Sequence, residues 1–446
     1  MAKNRRTHIN RNVTQRNATV DRLRNKLAVK LGPKKICLTM IVRNESKNMV
    51  RLFESIKSII DMISIVDTGS TDNTIEVINN WGTKNSIPTT VHQEPFKNFA
   101  YNRTHSVTMA KETYPEADYF LLSDADFVWK IDVGRKFDKV LLTADKYLLT
   151  QFNKSLNYHN IRLLSAKLDW ECVGRTHEYW RVKGKRDNVR SGTLTTLEID
   201  DREDGGCKQN KFERDEKLLR EGLSDPDEEP GLKTRYKFYL GQTLSDVGRF
   251  EESTKWYQAR IDDGGWAEEV YYSHYKIGSN YELLGWRKSH IRRIKLKKEN
   301  NQELVKWESE YLEKYKDYAE LTPEELRKQS EEDLDSAERY HLKGSDYKKN
   351  RAESLYFLAR LRRLRGKYQE AYDIIQRGIK IEYPKNDTLF IQRDVYSWKF
   401  THELTFVCYQ LEKFDEGSEA CKELLAMDNL PDNYKREVED NCKFYL

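Results

Sequence analysis

Along the first third of the chain, apolar residues alternate between two spacings, a short continuous run and then a helical stripe. Ile36 to Val42 is an apolar run with β-branched members, and after it Met49, Val50, Leu52, Phe53, Ile56, Ile59 and Ile60 recur on one helix face. Met62 to Val66 predicts a second strand. The turn Asp67-Thr68-Gly69-Ser70-Thr71-Asp72 then caps a helix ending near Trp81-Gly82. A poorer strand over 88–93, a helix over 99–113 stopped before Pro115, and a strong strand over 118–123 complete a βαβαβαβ series. That order predicts an α/β domain with a Rossmann-like, open, mostly parallel sheet covered by helices. Ligands of such sheets bind beyond the carboxyl ends of the strands, where Asp67 and the Asp124/Asp126 pair fall. From 142 to 199 the pattern is less regular, with strands expected at 147–152, 161–164 and 193–199 as the second half of the same domain.

After an acidic, proline-containing segment at 224–230 the period becomes helical and repetitive. Leu240-Gly241 with Gly248 and Phe250, Ile277-Gly278 with Gly285, and Leu358-Ala359 with Gly366, Tyr368 and Ala371 share one phasing, and Leu404-Thr405 with Phe414 is a degenerate fourth window. In each of the first three, a glycine expected to end a helix lies seven residues after a small residue expected to pack closely. The expected organisation is an arm over 1–35, an α/β domain over 36–215 and an all-α repeat domain over 216–446. A charged insert at about 287–344 reads as a long exposed helix pair.

Charge changes the picture at one place. The net charge of +5 hides an arm in which residues 1–35 hold eleven Lys/Arg against Asp21 alone. That arm is expected to be flexible, and it is the one segment suited to nucleic acid or another polyanion. No apolar stretch approaches the roughly 20 residues of a membrane span, and no apolar signal core opens the chain. Six cysteines lie far apart without a Cys-x-x-Cys pair, which predicts free thiols. The expectation is a soluble, cytoplasmic protein.

The chemistry concentrates where the apolar run Tyr119 to Leu122 ends in Ser123-Asp124-Ala125-Asp126. On an extended backbone, residues i and i+2 point the same way, and two such carboxylates suit a hard divalent cation. The strings Asp225/Asp227 and Asp333/Asp335 have the same spacing but no preceding strand. Carboxylate and phosphate oxygens suit Mn²⁺ and Mg²⁺ equally.

Five motifs in order, Leu38-Thr39-Met40-Ile41-Val42-Arg43-Asn44-Glu45, Val66 to Asp72, Phe99-Ala100-Tyr101-Asn102-Arg103, Leu122 to Asp126, and Gly174-Arg175-Thr176-His177-Glu178, resemble family 2 glycosyltransferases of the GT-A fold. The resemblance is closest to the branch with C-terminal tetratricopeptide-like repeats. It implies a metal-dependent, inverting transfer from a nucleotide sugar, a UDP-sugar, to a protein or glycan acceptor. Asp124, Asp126 and His177 would be metal ligands. Val42, Asn44, Glu45, Asp67, Arg103, Asp124, Lys208 and Lys211 would bind the nucleotide sugar, with Asp67 accepting the imide hydrogen of uracil. Asp126 and Glu178 would be catalytic, Glu178 as the base, with Asp169 and Glu171 as rivals. The family's usual second turn aspartate is Thr68 here. Two other readings stay open: a nucleotidyltransferase, although Arg43-Asn44-Glu45-Ser46 lacks a Gly-rich phosphate loop, and a non-catalytic module in which the repeats bind a protein partner or a second copy.

Overall fold

The computed structural model describes residues 32, 34–131, 137–153, 156–184, 188–205 and 211–445. Most of the basic arm, and Lys208 with its neighbours, lie outside the described residues. The chain divides into two units, Met1–Arg214 and Asp215–Leu446.

In the first unit, β1 (Ile36–Val42), α1 (Ser46–Ile56), β2 (Met62–Asp67), α2 (Thr74–Asn85), β3 (Thr89–Gln93), α3 (Phe99–Thr113) and β4 (Tyr119–Leu122) follow the expected alternation. Then come β5 (Phe127–Ile131), β6 (Lys146–Asn153), β7 (Leu156–Ser165), the two-stranded hairpin β8 (Trp170–Val173) and β9 (Tyr179–Val182), and β10 (Ser191–Asp201). The eight-stranded sheet has the order β3-β2-β1-β4-β7-β6-β10-β5. Its first four strands are parallel, whereas β7 pairs antiparallel with both β4 and β6.

β1 and β2 are buried almost throughout because helices cover both faces. Leu38 and Met40 face the cluster built with Met49, Leu52, Phe53 and Ile56 of α1 and with Ile78 and Trp81 of α2. Cys37 turns the other way, towards Val107 and Ala110 of α3 and Phe120 and Leu122 of β4. The hydroxyl of Thr39, buried on that second face, donates to the Ser106 carbonyl at 3.0 Å and so avoids the cost of an unpaired buried polar group.

The second unit is helical. Its members are α5 (Pro230–Asp246), α6 (Phe250–Asp263), α7 (Ala267–Glu299), α8 (Lys306–Lys314), α9 (Lys316–Ala319), α10 (Pro323–Tyr347), α11 (Glu353–Leu364), α12 (Tyr368–Gly378), α13 (Lys399–Gln410), α14 (Phe414–Leu425) and α15 (Asp432–Cys442); α4 (Lys211–Ser224) carries the division between the units. Three hairpins, α5/α6, α11/α12 and α13/α14, use one turn. Arg249 N–H donates to Leu244 O, Lys367 to Arg362 O and Lys413 to Cys408 O, each five residues back, across a residue of positive φ. That residue is Gly248, Gly366 and, in the degenerate window, Glu412 at φ 57°.

The second window breaks the pattern, and Gly285 ends no helix. It sits inside α7, a single 33-residue helix, where an added Cβ would lie 2.7 Å from Leu334 and 3.0 Å from the Ser330 carbonyl of α10. The glycine is there for close helix packing, so the charged insert is part of a packed pair rather than an exposed one: Ile291, Ile294, Leu326, Leu334 and Ala337 are all buried. Gly278 works similarly, since a Cβ there would lie 2.7 Å from the ring of His341. That ring packs between Tyr275 and Phe357 and leaves both of its nitrogens buried without a hydrogen-bond partner among the described residues.

Burial, reinforced by nearby Arg360, lowers the His341 pKa from 6.5 to about 3. The native state therefore refuses a proton that the unfolded chain accepts. Stability is undiminished above about pH 6.5 and falls as pH drops towards the folded value. We expect His341→Leu to flatten the pH dependence of urea unfolding between pH 6.5 and 4.5, by on the order of 1–2 kcal/mol at pH 5. An unchanged slope, followed by circular dichroism, would contradict this account of the core.

Candidate active site

Beyond the carboxyl ends of β1 and β4 lies a cleft of about 310 Å³, and Val42, Glu45, Arg103, Asp124, Asp126 and Lys211 all line it. The expectation that Asp124 and Asp126 extend a strand is corrected by the structure. Strand β4 stops at Leu122, and Phe127 N–H donates to the Asp124 carbonyl at 3.2 Å, closing a turn that sends the chain into β5. A turn separates the fates of the two side chains.

Asp124 is clamped. Its Oδ1 accepts from Arg103 Nη2 at 2.7 Å and its Oδ2 from Arg162 Nη1 at 3.2 Å. Burial works to raise its pKa, yet the two guanidiniums outweigh burial and hold the carboxyl below the ordinary value. Asp126 has no such counter-ion among the described residues. Burial, then Asp124, Asp201 and Glu45, push it up to about 6. Gly205 backs against it so closely that an added Cβ would lie 3.2 Å from both Asp126 Oδ2 and Glu45 Oε1. The approach is fixed by Arg51, whose two terminal nitrogens each reach a carboxylate oxygen of Asp204 at 2.6 Å.

Asp67 ends β2 and is buried. Its Oδ1 accepts from Gly69 N–H at 3.0 Å and Ser70 N–H at 2.9 Å, while Oδ2 is buried without a hydrogen-bond partner among the described residues. Asn44, at φ 55°, is occupied in bracing the same loop: its N–H donates to Ser70 Oγ at 2.9 Å and its Oδ1 accepts from Thr71 N–H at 2.7 Å. Glu45 accepts from Asn48 Nδ2 at 2.9 Å.

The segment Gly174 to Glu178 is the tight connection between β8 and β9, with Gly174 and His177 both at positive φ. It brings Glu178 Oε1 to 2.6 Å from Arg103 Nε, so a single arginine pairs with both Asp124 and Glu178. The rival acids are placed elsewhere. Asp169 is 72% exposed and paired with Lys111, and Glu171 is paired with Arg181 across the β8/β9 hairpin. Among the described residues no group of three or more His, Cys, Asp and Glu side chains is arranged as a metal cage, so His177 is not gathered with the aspartates in that way. The other Asp-x-Asp strings have structural partners: Asp225 Oδ1 accepts from Asp227 N–H, Asp333 pairs with Lys288, and Asp335 with Arg365.

Sequence reasoning missed Arg162 and Phe96, and it gave no site role of its own to Phe99 or Arg214. The last three line the cleft, with the Arg214 guanidinium 5.1 Å from the Phe99 ring. Arg162 left a signal, a lone cation in the apolar run Ile161-Arg162-Leu163-Leu164.

The sheet order and an acidic pair at the strand ends, flanked by cations, define an α/β domain of GT-A type. Residues 37–197 match the model described as glycosyl transferase family 2. No curated protein matches the chain. Among solved structures it is similar to TTC0263, a thermophilic TPR protein of Thermus thermophilus, at 8% identity over 52% of this chain and 91% of that one, with a TM-score of 0.30. It is also similar to S. aureus TarS 1–349 in complex with UDP, at 14% identity over 56% and 80%, with a TM-score of 0.28. Likenesses this low carry no argument beyond themselves.

A raised carboxyl pKa means that folding is disfavoured once pH exceeds the unfolded value of about 3.8, increasingly so up to about 6. Asp126→Asn removes that penalty. The variant is expected to be more stable than the parent above pH 6, by on the order of 1–3 kcal/mol, and equal to it near pH 4. Urea titrations at the two pH values check this, and a less stable variant at pH 7.5 would refute the charge assignment.

Proposed function

We propose that this protein is a metal-dependent, inverting glycosyltransferase that takes its sugar from a UDP-sugar and delivers it to a protein or glycan acceptor. The observation that carries the reading is the split at the end of β4: one aspartate paired with two arginines, and beside it Asp126, a carboxylate with no ion pair among the described residues. Asp126 fits Mn²⁺ or Mg²⁺ because a divalent ion would relieve the repulsion that raises its pKa. Asp124 is its neighbour, and His177 is the further ligand that the motif order suggests. When bound, such an ion would supply Lewis acidity to offset charge on a departing diphosphate.

The chain's own residues support the remaining steps. The unpartnered Oδ2 of Asp67 is an acceptor suited to the imide N–H of uracil, a donor that cytosine lacks. Arg103, Lys211 and Arg214 line the cleft as cations for the diphosphate. Glu178 is the proposed base that takes the proton of the acceptor hydroxyl, and Arg103 orients it. For the acceptor, the helical unit has a separate cavity of about 400 Å³ lined by Tyr368, Phe406, Tyr409 and Phe444, with Gln410 and Asn441 supplying amides.

The test is a screen of UDP- and GDP-sugars for thermal stabilisation with Mn²⁺, followed by donor hydrolysis and transfer. A UDP-sugar should raise Tm only when metal is present, and Asp126→Asn should lose that shift. Glu178→Gln should keep donor binding while losing roughly 10²–10⁴ in kcat. If no nucleotide sugar shifts Tm with metal, the reading falls.

A further inference from the structure

One buried charge in the first unit has no task in the steps above. Arg162 projects from β7 with its side chain only 9% exposed, an expensive place for a guanidinium unless its charge is paired. Its Nη1 donates to Asp124 Oδ2 at 3.2 Å and its Nη2 to Gln151 Oε1 at 2.9 Å, and its guanidinium lies 4.6 Å from the Phe127 ring centre. Gln151 is itself fixed, since its Nε2 donates to Asp201 Oδ2 at 3.0 Å. Gln151, Asp201 and Phe127 all stand on paired strands, β6, β10 and β5, and Asp201 is the register partner of Phe127. Arg162 is thus anchored to side chains carried by three paired strands of the sheet.

The other end of the network is less constrained by the sheet. Arg103 comes from a helix and Glu178 from a hairpin connection, and Arg103 is shared by Glu178 and Asp124. The four side chains balance, with two guanidiniums against two carboxylates. Were Arg162 removed, Arg103 would be the one ion-pair partner left to both acids among the described residues, and the stronger pull of a less compensated Asp124 would draw it away from Glu178.

We infer that Arg162 is a positioning residue for catalysis: by taking half of Asp124, it leaves Arg103 free to hold Glu178 at the reacting end of the cleft. This rests on the glycosyltransferase reading for its kinetic consequence, but not for its geometry. Arg162 acts through Asp124 and Arg103, and it touches neither donor nor acceptor in this account. Misplacing a base by about 1 Å is enough to cost about 10²-fold in rate, so a residue two contacts away can matter as much as one in direct contact.

The experiment uses the full-length protein and the donor identified by the screen. Arg162→Met should lower kcat by about 10–100-fold with donor KM within about threefold, and Arg162→Lys, which keeps the charge but loses the fork, should recover part of the loss. Unchanged kcat, a rise in KM alone, or a lysine variant no better than methionine would each overturn the inference. Should Arg162→Met fail to fold, Gln151→Met loosens Arg162 without removing a charge. It should lower kcat by about 3–10-fold at constant KM, and an unaffected kcat would overturn the inference. A readout without turnover separates the two proposals: the ¹⁵N–¹H signal of Arg103 Nε should move in Arg162→Lys, and an unmoved signal would sink the inference. A wild-type enzyme that turns over no nucleotide sugar would instead sink the function, leaving the Arg103 signal to decide the positioning.

Discussion

Two carboxylates cannot both be charged and dehydrated within a few ångströms of each other unless something neutralises them, and the site is organised around how this chain meets that constraint. Asp124 receives two guanidiniums, whereas Asp126 receives none among the described residues. The asymmetry makes one aspartate a structural anchor for two guanidiniums and leaves its neighbour without an ion pair among the described residues. Everything else in the cleft follows from keeping those two states apart.

The fold supplies the means. Arg103 comes from the helix that precedes β4 and Arg162 from the antiparallel strand beside it, so the clamp exists only because β7 folds back next to β4. The third face is closed by Gly205, whose missing side chain lets the backbone reach Asp126 and Glu45, and the Arg51–Asp204 pair secures it. On the opposite flank, Asn44 and Ser70 brace the loop that presents Asp67, which explains why a left-handed asparagine follows β1. These are ordinary local interactions. Their combined effect is a partly buried, charged cleft at the strand ends, where charge–charge interactions are stronger than in water.

In the helical unit the same residue type serves two unlike purposes. Gly248 and Gly366 are at positive φ and end helices, while Gly285 and Gly278 lie within a helix and admit Leu334 and His341. Glu412 adopts the left-handed turn without the glycine, so the turn belongs to the hairpin rather than to the residue. A periodic pattern of small residues therefore predicts where helices approach each other more securely than it predicts where they stop.

Much of the first unit was legible in the sequence. Strand and helix each leave their own period, and β1 to β4 with their helices are buried on faces that those periods mark, which is why Phe99–Thr113 was readable to the residue. The sites at strand ends were legible too, because topology fixes where such ends gather. The turn after Leu122 was not, since two aspartates separated by one residue look the same in a strand and in a turn. Nor was Gly285, because a helix continues or breaks according to what packs against it. Arg162 was hidden for the same reason: a cation in an apolar strand has no meaning until β7 lies beside β4 and its guanidinium meets Asp124. The sequence by itself determined the order of elements and the chemical groups available. Only the tertiary structure decided which carboxylate is neutralised, because charge compensation depends on contacts between residues tens of positions apart, and local pattern carries no record of them.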